Sequence, residues 1–246
     1  MNQNYNRLYM PQFITGCGSI EFFATLGKKR IGVVRGGRSL NDQLKAKIEK
    51  LAEESGAELR YIAQIRNEPY IEDIFRCMDE VREFEPDMIL AIGGGSVLDT
   101  AKAIHLFYEN PEMSFEEATI PYALPALGKK AVHVAVPTTS GTGSETTSCA
   151  VFIDPETKTK KLLLDNTIIP HYAILDADMT DSQPTSITVA TGLDALTHSI
   201  EASTAMNASA MTRAIAMEAA VDILENLEAA AKEGEMTEEK KAAREK

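Results

Sequence analysis

Short apolar runs alternate along this chain with longer stretches in which apolar residues recur every third or fourth position, the two periods of strands and helices. The runs fall at 29–34, 58–65, 88–92, 131–136 and 171–175. Helix-period stretches lie between them. Residues 19–26 form a short one. Residues 41–55 place Leu44, Ile48 and Leu51 on one face and meet Gly56 as a stop. Residues 70–84 follow a turn at 67–69, and 97–107 carry apolar Val97, Ala101, Ile104 and Leu106 with Asp99 and Lys102 polar. Residues 9–20, which include Pro11, Gly16 and Gly18, read as a strand or hairpin. Residues 111–130 read as an irregular, proline-rich surface excursion, and 151–164 as a hairpin turning at Asp154-Pro155-Glu156-Thr157. Strand and helix in alternation predict an α/β domain with a doubly wound, mostly parallel, Rossmann-like sheet.

From Ser186 the helical period takes over and stays. One helix is expected over 188–202 and another over 208–231, with Met217, Val221, Leu224 and Leu227 at helical spacing and Gly234 as the stop. Thr237 caps a third start, with Glu238 and Glu239 in its first turn. The expected division is an α/β domain over 1–180 and the beginning of an all-helical domain over 181–246, incomplete because the last helix has no stop signal before Lys246.

Composition narrows the partners. The formal net charge of -12 excludes nucleic acid and anionic membranes as natural partners. No stretch reaches the roughly 20 apolar residues of a membrane helix, and residues 1–13 lack the apolar core of a signal peptide. Cys17, Cys77 and Cys149 are odd in number and scattered, which fits a reducing compartment. A cytoplasmic location is expected.

Candidate chemistry gathers where strands end. The run 88–92 stops at Gly93-Gly94-Gly95-Ser96, and a helix pattern begins at once. Strand, glycine turn and helix together offer free backbone N–H groups and positive potential to a phosphate. A second loop, Pro137-Thr138-Thr139-Ser140-Gly141-Thr142-Gly143-Ser144-Glu145, follows its own strand and offers hydroxyls for ribose, phosphate or amide groups. Loops at strand carboxyl ends are where open α/β sheets bind ligands. The turn Arg35-Gly36-Gly37-Arg38-Ser39 follows the first sheet strand, at the point that faces the adenosine ribose in a nucleotide fold. It holds no acid before Asp42, and arginines with small residues suit the 2′-phosphate of NADP.

Asp194 and His198 stand four apart, so both leave one helix face about a turn from each other. A carboxylate and an imidazole so placed suit iron, zinc or manganese, and a surface ion pair is the plainer alternative. Glu201 is one further turn along. His105, His133 and His171 read as structural. No Ser/His/Asp or Cys/His arrangement and no Gly-Lys-Ser/Thr loop is present.

Together these stretches resemble the iron-dependent, group III alcohol dehydrogenases. GGGSVLDTAK (93–102), PTTSGTGSETT (137–147), DADMTDSQP (176–184) and ATGLDALTHSIEA (190–202) carry the resemblance. It implies a nucleotide domain followed by an all-helical metal domain. It implies cofactor contacts from Gly94, Gly95, Ser96, Asp99, Thr138, Thr139, Thr142, Ser144 and Lys160, with Gly36, Gly37 and Ser39 on the ribose side. The implied metal ligands, catalytic through the metal, are Asp194 and His198. The implied cofactors are NAD or NADP, with NADP favoured, and Fe2+, with Zn2+ as the other fitting ion. The partner would be a small alcohol or aldehyde, and the full-length protein a homo-oligomer. The family uses an aspartate and three histidines, and no histidine follows His198. The chain therefore reads as a fragment, or else as a nucleotide-binding module without metal chemistry. Polyol dehydrogenation and a dehydroquinate synthase-like lyase are the other readings. The second glycine loop and the Asp194/His198 pair argue against the lyase.

Overall fold

The structure, a computed structural model, describes residues 8–37, 40–65 and 69–246. In chain order its strands are β1 (Gln12–Thr15), β2 (Arg30–Gly36), β3 (Glu58–Ile65), β4 (Met88–Gly93), β5 (Val132–Pro137), β6 (Cys149–Ile153), β7 (Lys160–Leu164) and β8 (Tyr172–Leu175). Its α-helices are α1 (Asp42–Glu54), α2 (Ile71–Arg76), α3 (Met78–Phe84), α4 (Gly95–Glu109), α5 (Phe115–Ala118), α6 (Thr185–Thr204), α7 (Ala210–Ala230) and α8 (Glu238–Glu245). Packing divides the chain into two compact units. Residues 10–138 and 144–179 form an α/β unit, while Thr139–Gly143 group with the helical segment Thr180–Lys246.

In the α/β unit six strands form one sheet in the order β1-β8-β5-β4-β2-β3, every pairing parallel. The predicted strands appear within one or two residues of their expected ends. All six residues of β4 are buried, as a central strand covered on both faces requires. Alternation sorts the side chains into two cores. Ile89, Ala91 and Ala135 join α3 and α4 on one face, while Met88, Leu90, Ile92, Val134 and Val136 join α1 and the 3-10 helix Ser19–Leu26 on the other.

Local chemistry sets the boundaries. The Asn41 side chain accepts the Leu44 N–H at the start of α1. Gly56, at φ 70°, ends it, with Gly56 N–H reaching Glu53 O and Ala57 N–H reaching Ala52 O. The helix expected over 70–84 is two helices broken at Cys77. The segment 111–130 contains the short α5, which Ser114 and Glu117 cap reciprocally. The hairpin forms as a separate antiparallel pair, β6 with β7.

The helical unit brings α6, α7 and α8 together. The expected helix 188–202 extends to 185–204. A Cβ on Gly192 would lie 2.4 Å from a methyl of Leu227, so this glycine lets α6 and α7 approach. From α8, Arg244 donates to the carbonyls of Thr180, Gln183 and Ala230 and to the Thr188 hydroxyl. Among the described residues no helix is long and apolar enough to cross a membrane.

Candidate functional site

Within the α/β unit three strand ends line one edge of the sheet. Arg35 of β2 is in register with Ile92 of β4, and Gly93 of β4 with Pro137 of β5. Thr138 N–H extends that ladder to Gly93 O at 3.0 Å. The strand order reverses between β2 and β4, where doubly wound sheets open a crevice. The turn after β2, the glycine turn after β4 and the start of the second loop all leave the sheet there.

α4 begins on Gly95 with Gly94 as its cap residue, and no side chain caps it. Its amino end thus keeps the donors and the positive potential that an anion takes up. Gly94, Gly95 and Ser96 are partly exposed, whereas Gly93 is buried against Val97. A Cβ on Gly93 would lie 2.5 Å from that side chain, so this glycine serves packing. The donor chemistry of this cradle suits an anionic group such as a phosphate.

Asp99 and Ser144, both expected at the cofactor, are bonded to each other: Ser144 Oγ donates to Asp99 Oδ1 at 2.5 Å. The other Asp99 oxygen accepts the Val151 N–H at 3.0 Å. One turn further along α4, Lys102 is wholly buried. Its ammonium donates to Thr147 Oγ1 at 2.9 Å and Cys149 O at 2.7 Å, and lies 3.6 Å from Asp99 Oδ1. Burial pulls the Lys102 ammonium below the usual lysine range, with Asp99 opposing. Burial pushes the nearby Glu145 carboxyl up, offset in part by a backbone N–H and by Lys102. Sequence reasoning placed Lys102 among the polar positions of α4 and gave it no role. The three-residue spacing of Asp99 and Lys102 was the signal that they share a face.

The remaining candidates spread more widely. Thr138 is buried beside Gly93, Gly36 is buried at the end of β2, and Gly37 is exposed. Ser39 lies outside the described residues, as does Arg38. Arg35 lies over the Tyr61 ring, 5.4 Å from its centroid, and reaches Gln64 Oε1 at 3.4 Å, so β3 holds it. Lys160 is exposed at the start of β7, in register with Ile153.

In the helical unit Thr139 is partly exposed and Thr142 exposed, and the loop that carries them packs on α6. A Cβ on Gly141 would lie 2.6 Å from Thr191 Cβ and 2.7 Å from its carbonyl oxygen. Three residues beyond Thr191 comes Asp194. Its Oδ1 is 3.8 Å from His198 Nε2, and the two side chains are 46% and 52% exposed, respectively. Both donors thus share one open helix face, at a separation suited to neighbouring ligands of one ion, and their chemistry fits Fe2+ or Zn2+. Glu201 is exposed and, among the described residues, bonds to neither donor.

Two polar clusters serve the scaffold. Asp176 accepts N–H groups from Gly18, Ile20 and Asp178, tying the first 3-10 helix to the end of β8. At the amino ends of the strands, opposite the cradle, Glu109 accepts N–H groups from Gly128, Lys129, Lys130 and Ala131. His105 Nε2 lies 3.2 Å from Glu109 Oε1 and 3.0 Å from Ala131 O. The His105 ring lies 5.7 Å from those of His133 and His171. His133 is fully buried, with neither ring nitrogen partnered among the described residues.

The sequence pattern described as iron-containing alcohol dehydrogenase matches residues 11–177, and the pattern of that family's C-terminal part matches 188–245. The chain belongs to the iron-containing alcohol dehydrogenase family. It is 39% identical over 223 residues to the NADPH-dependent butanol dehydrogenase of Clostridium saccharobutylicum, covering 90% of this chain and 58% of that protein. A probable alcohol dehydrogenase, EutG, of Escherichia coli is 42% identical over 150 residues, 61% of this chain and 37% of its own length. The iron-containing alcohol dehydrogenase of Thermococcus thioreducens superposes with a TM-score of 0.87 at 31% identity, covering 98% of this chain and 64% of that one. A 1,3-propanediol oxidoreductase gives 0.85 at 29% identity, covering 97% and 63%. The chain thus spans less than two thirds of the length of these family members. Membership matches the parallel sheet and the helical segment seen here, and the resemblance read from the glycine loops is the correct one.

Proposed function

We propose that this chain takes part in NADP-dependent dehydrogenation of a small alcohol, or the reverse reduction of an aldehyde. The observation that carries the reading is the uncapped amino end of α4, set between the ends of β2 and β5 where the strand order reverses. Gly94, Gly95 and Ser96 would hold the diphosphate through backbone N–H groups and one hydroxyl. Gly36, Gly37 and Ser39 would border the adenosine ribose. A turn without an acid before Asp42 leaves room for a 2′-phosphate, and the butanol dehydrogenase relative uses NADPH. Thr138, Thr139 and Thr142 would orient the nicotinamide half, while Asp99 and Ser144 keep the loop end in place.

Asp194 and His198 would hold a divalent ion, iron by family and zinc by the same donor chemistry. When bound, the ion supplies Lewis acidity toward the alcohol or carbonyl oxygen and the nucleotide supplies hydride exchange. The chain's residues contribute position: in the α/β unit a glycine backbone for phosphate, and in the helical unit two donors on one face of α6. The test is calorimetric titration of the chain with NADPH and NADH. Tighter binding of NADPH is expected, and binding of neither nucleotide would sink the reading. Two half-exposed donors also favour a second outcome, nucleotide binding without turnover. An assay of the same protein with Fe2+, NADP and butan-1-ol separates the two.

A further inference from the structure

Lys102 is a wholly buried lysine of the α/β unit, and the two acceptors of its ammonium, Thr147 Oγ1 and Cys149 O, share a single segment. A buried charge is costly and persists only when paired and hydrogen-bonded. Lys102 takes Thr147 Oγ1 and Cys149 O, and Asp99 beside it takes Ser144 Oγ and Val151 N–H. Four points along 144–151 are therefore fastened by two side chains of the helix whose first turn is the cradle. This segment is the return stem of the hydroxyl loop. An apolar side chain of lysine's length would fill the same space, and such replacements of buried ions are often neutral or stabilising. Filling space therefore does not account for the ammonium, whereas directional bonds to one stem do.

We propose that Lys102 is a positioning residue for the nucleotide: with Asp99 it fixes the stem 144–151 against α4, and so sets where the Ser144 end of the loop stands relative to the cradle. The proposal rests on the nucleotide-binding reading of α4 given above. Losing the stem's ammonium bonds lets Thr147 and Cys149 drift. The nucleotide must then order that stem as it binds, which costs affinity.

The chain, Lys102→Met and Thr147→Val are titrated with NADPH by calorimetry, well below each protein's melting temperature. Hydrogen bonds to a charged group are worth enough that Lys102→Met is expected to weaken binding about tenfold. Thr147→Val, which removes one acceptor and keeps the shape, is expected to weaken it about threefold. The double variant should bind no more weakly than Lys102→Met alone, because both changes act through one bond network. Amide exchange over 144–151 should quicken in Lys102→Met while β4 and β5 keep their protection. Wild-type affinity in a folded Lys102→Met overturns the proposal, as does unchanged affinity in Thr147→Val should Lys102→Met fail to fold. If the wild-type chain binds no nucleotide, the functional reading falls and takes this one with it.

Discussion

α4 and α6 both carry candidate ligand groups, yet they treat polar side chains in opposite ways. α4 is buried from Val97 to Tyr108 apart from the partly exposed Asp99, and the polar ends of Asp99, Lys102 and His105 are spent on named partners. α6 leaves Leu193, Asp194, His198 and Ile200 exposed, and its donor pair is about half in water. A group held inside a packed network is oriented before any ligand arrives, whereas an exposed pair must be gathered by the ion it binds. The candidate cradle is therefore ordered in advance by the packing of the α/β unit, whereas the Asp194/His198 pair of α6 is not.

Three perturbations probe that contrast. The largest effect is expected at the end of α4. Glu109→Ala strips the acceptor from four consecutive backbone N–H groups and from His105, leaving donors unpaired. A loss of about 2–4 kcal/mol follows, or about 5–15 °C in melting temperature. A melt within 2 °C of wild type would show that the loop 128–131 stands without it.

The next effect is read in pH. Burial, with His105, His171 and Lys102 nearby, holds His133 well below the usual histidine range, so the native chain keeps it neutral. The unfolded chain binds a proton at about pH 6.5 that the native chain refuses. Stability is therefore full above that pH and falls as pH drops, by up to about 1.4 kcal/mol per pH unit. His171, lowered by burial, acts in the same direction. Glu109 adds its own loss at lower pH, because His105 and the backbone N–H groups outweigh burial and hold its carboxyl far below the ordinary value. Melting temperatures from pH 8 to pH 5 should decline below 6.5, and the decline should be shallower in His133→Leu. A flat wild-type profile would show that His133 is no source of acid sensitivity.

The smallest effect on stability belongs to α6. His198→Ala removes a half-exposed side chain and should move unfolding by less than about 0.5 kcal/mol. The same change should abolish saturable Fe2+ or Zn2+ binding measured by calorimetry. Retained metal binding would remove His198 from the ligand set.

The central strands were legible because they are short apolar runs, two of them (β2 and β4) ending at glycines, and the start of α8 because its cap, Thr237, is read from a single residue. The break at Cys77 was not, since the apolar period of 70–84 runs through it unchanged. At the site, the glycine cradle was readable because its chemistry is backbone, and backbone freedom is written in glycine. What Asp99, Ser144 and Lys102 touch was not readable. Beyond the Asp99–Lys102 spacing on α4, their hydrogen bonds reach across more than 40 positions, and no local period records such a meeting. Glu109 was missed for the same reason: it looks like a helix-end carboxylate until 128–131 wraps around it.

The tie between Asp176 and the first 3-10 helix has a consequence for synthesis. Ile20 waits for a partner 156 residues further along, which at about 5–20 residues per second is roughly 8–30 s of translation. Throughout that interval β1 has no β8 to lie against, so among the described strands of the sheet it waits through the longest stretch of synthesis for its partner.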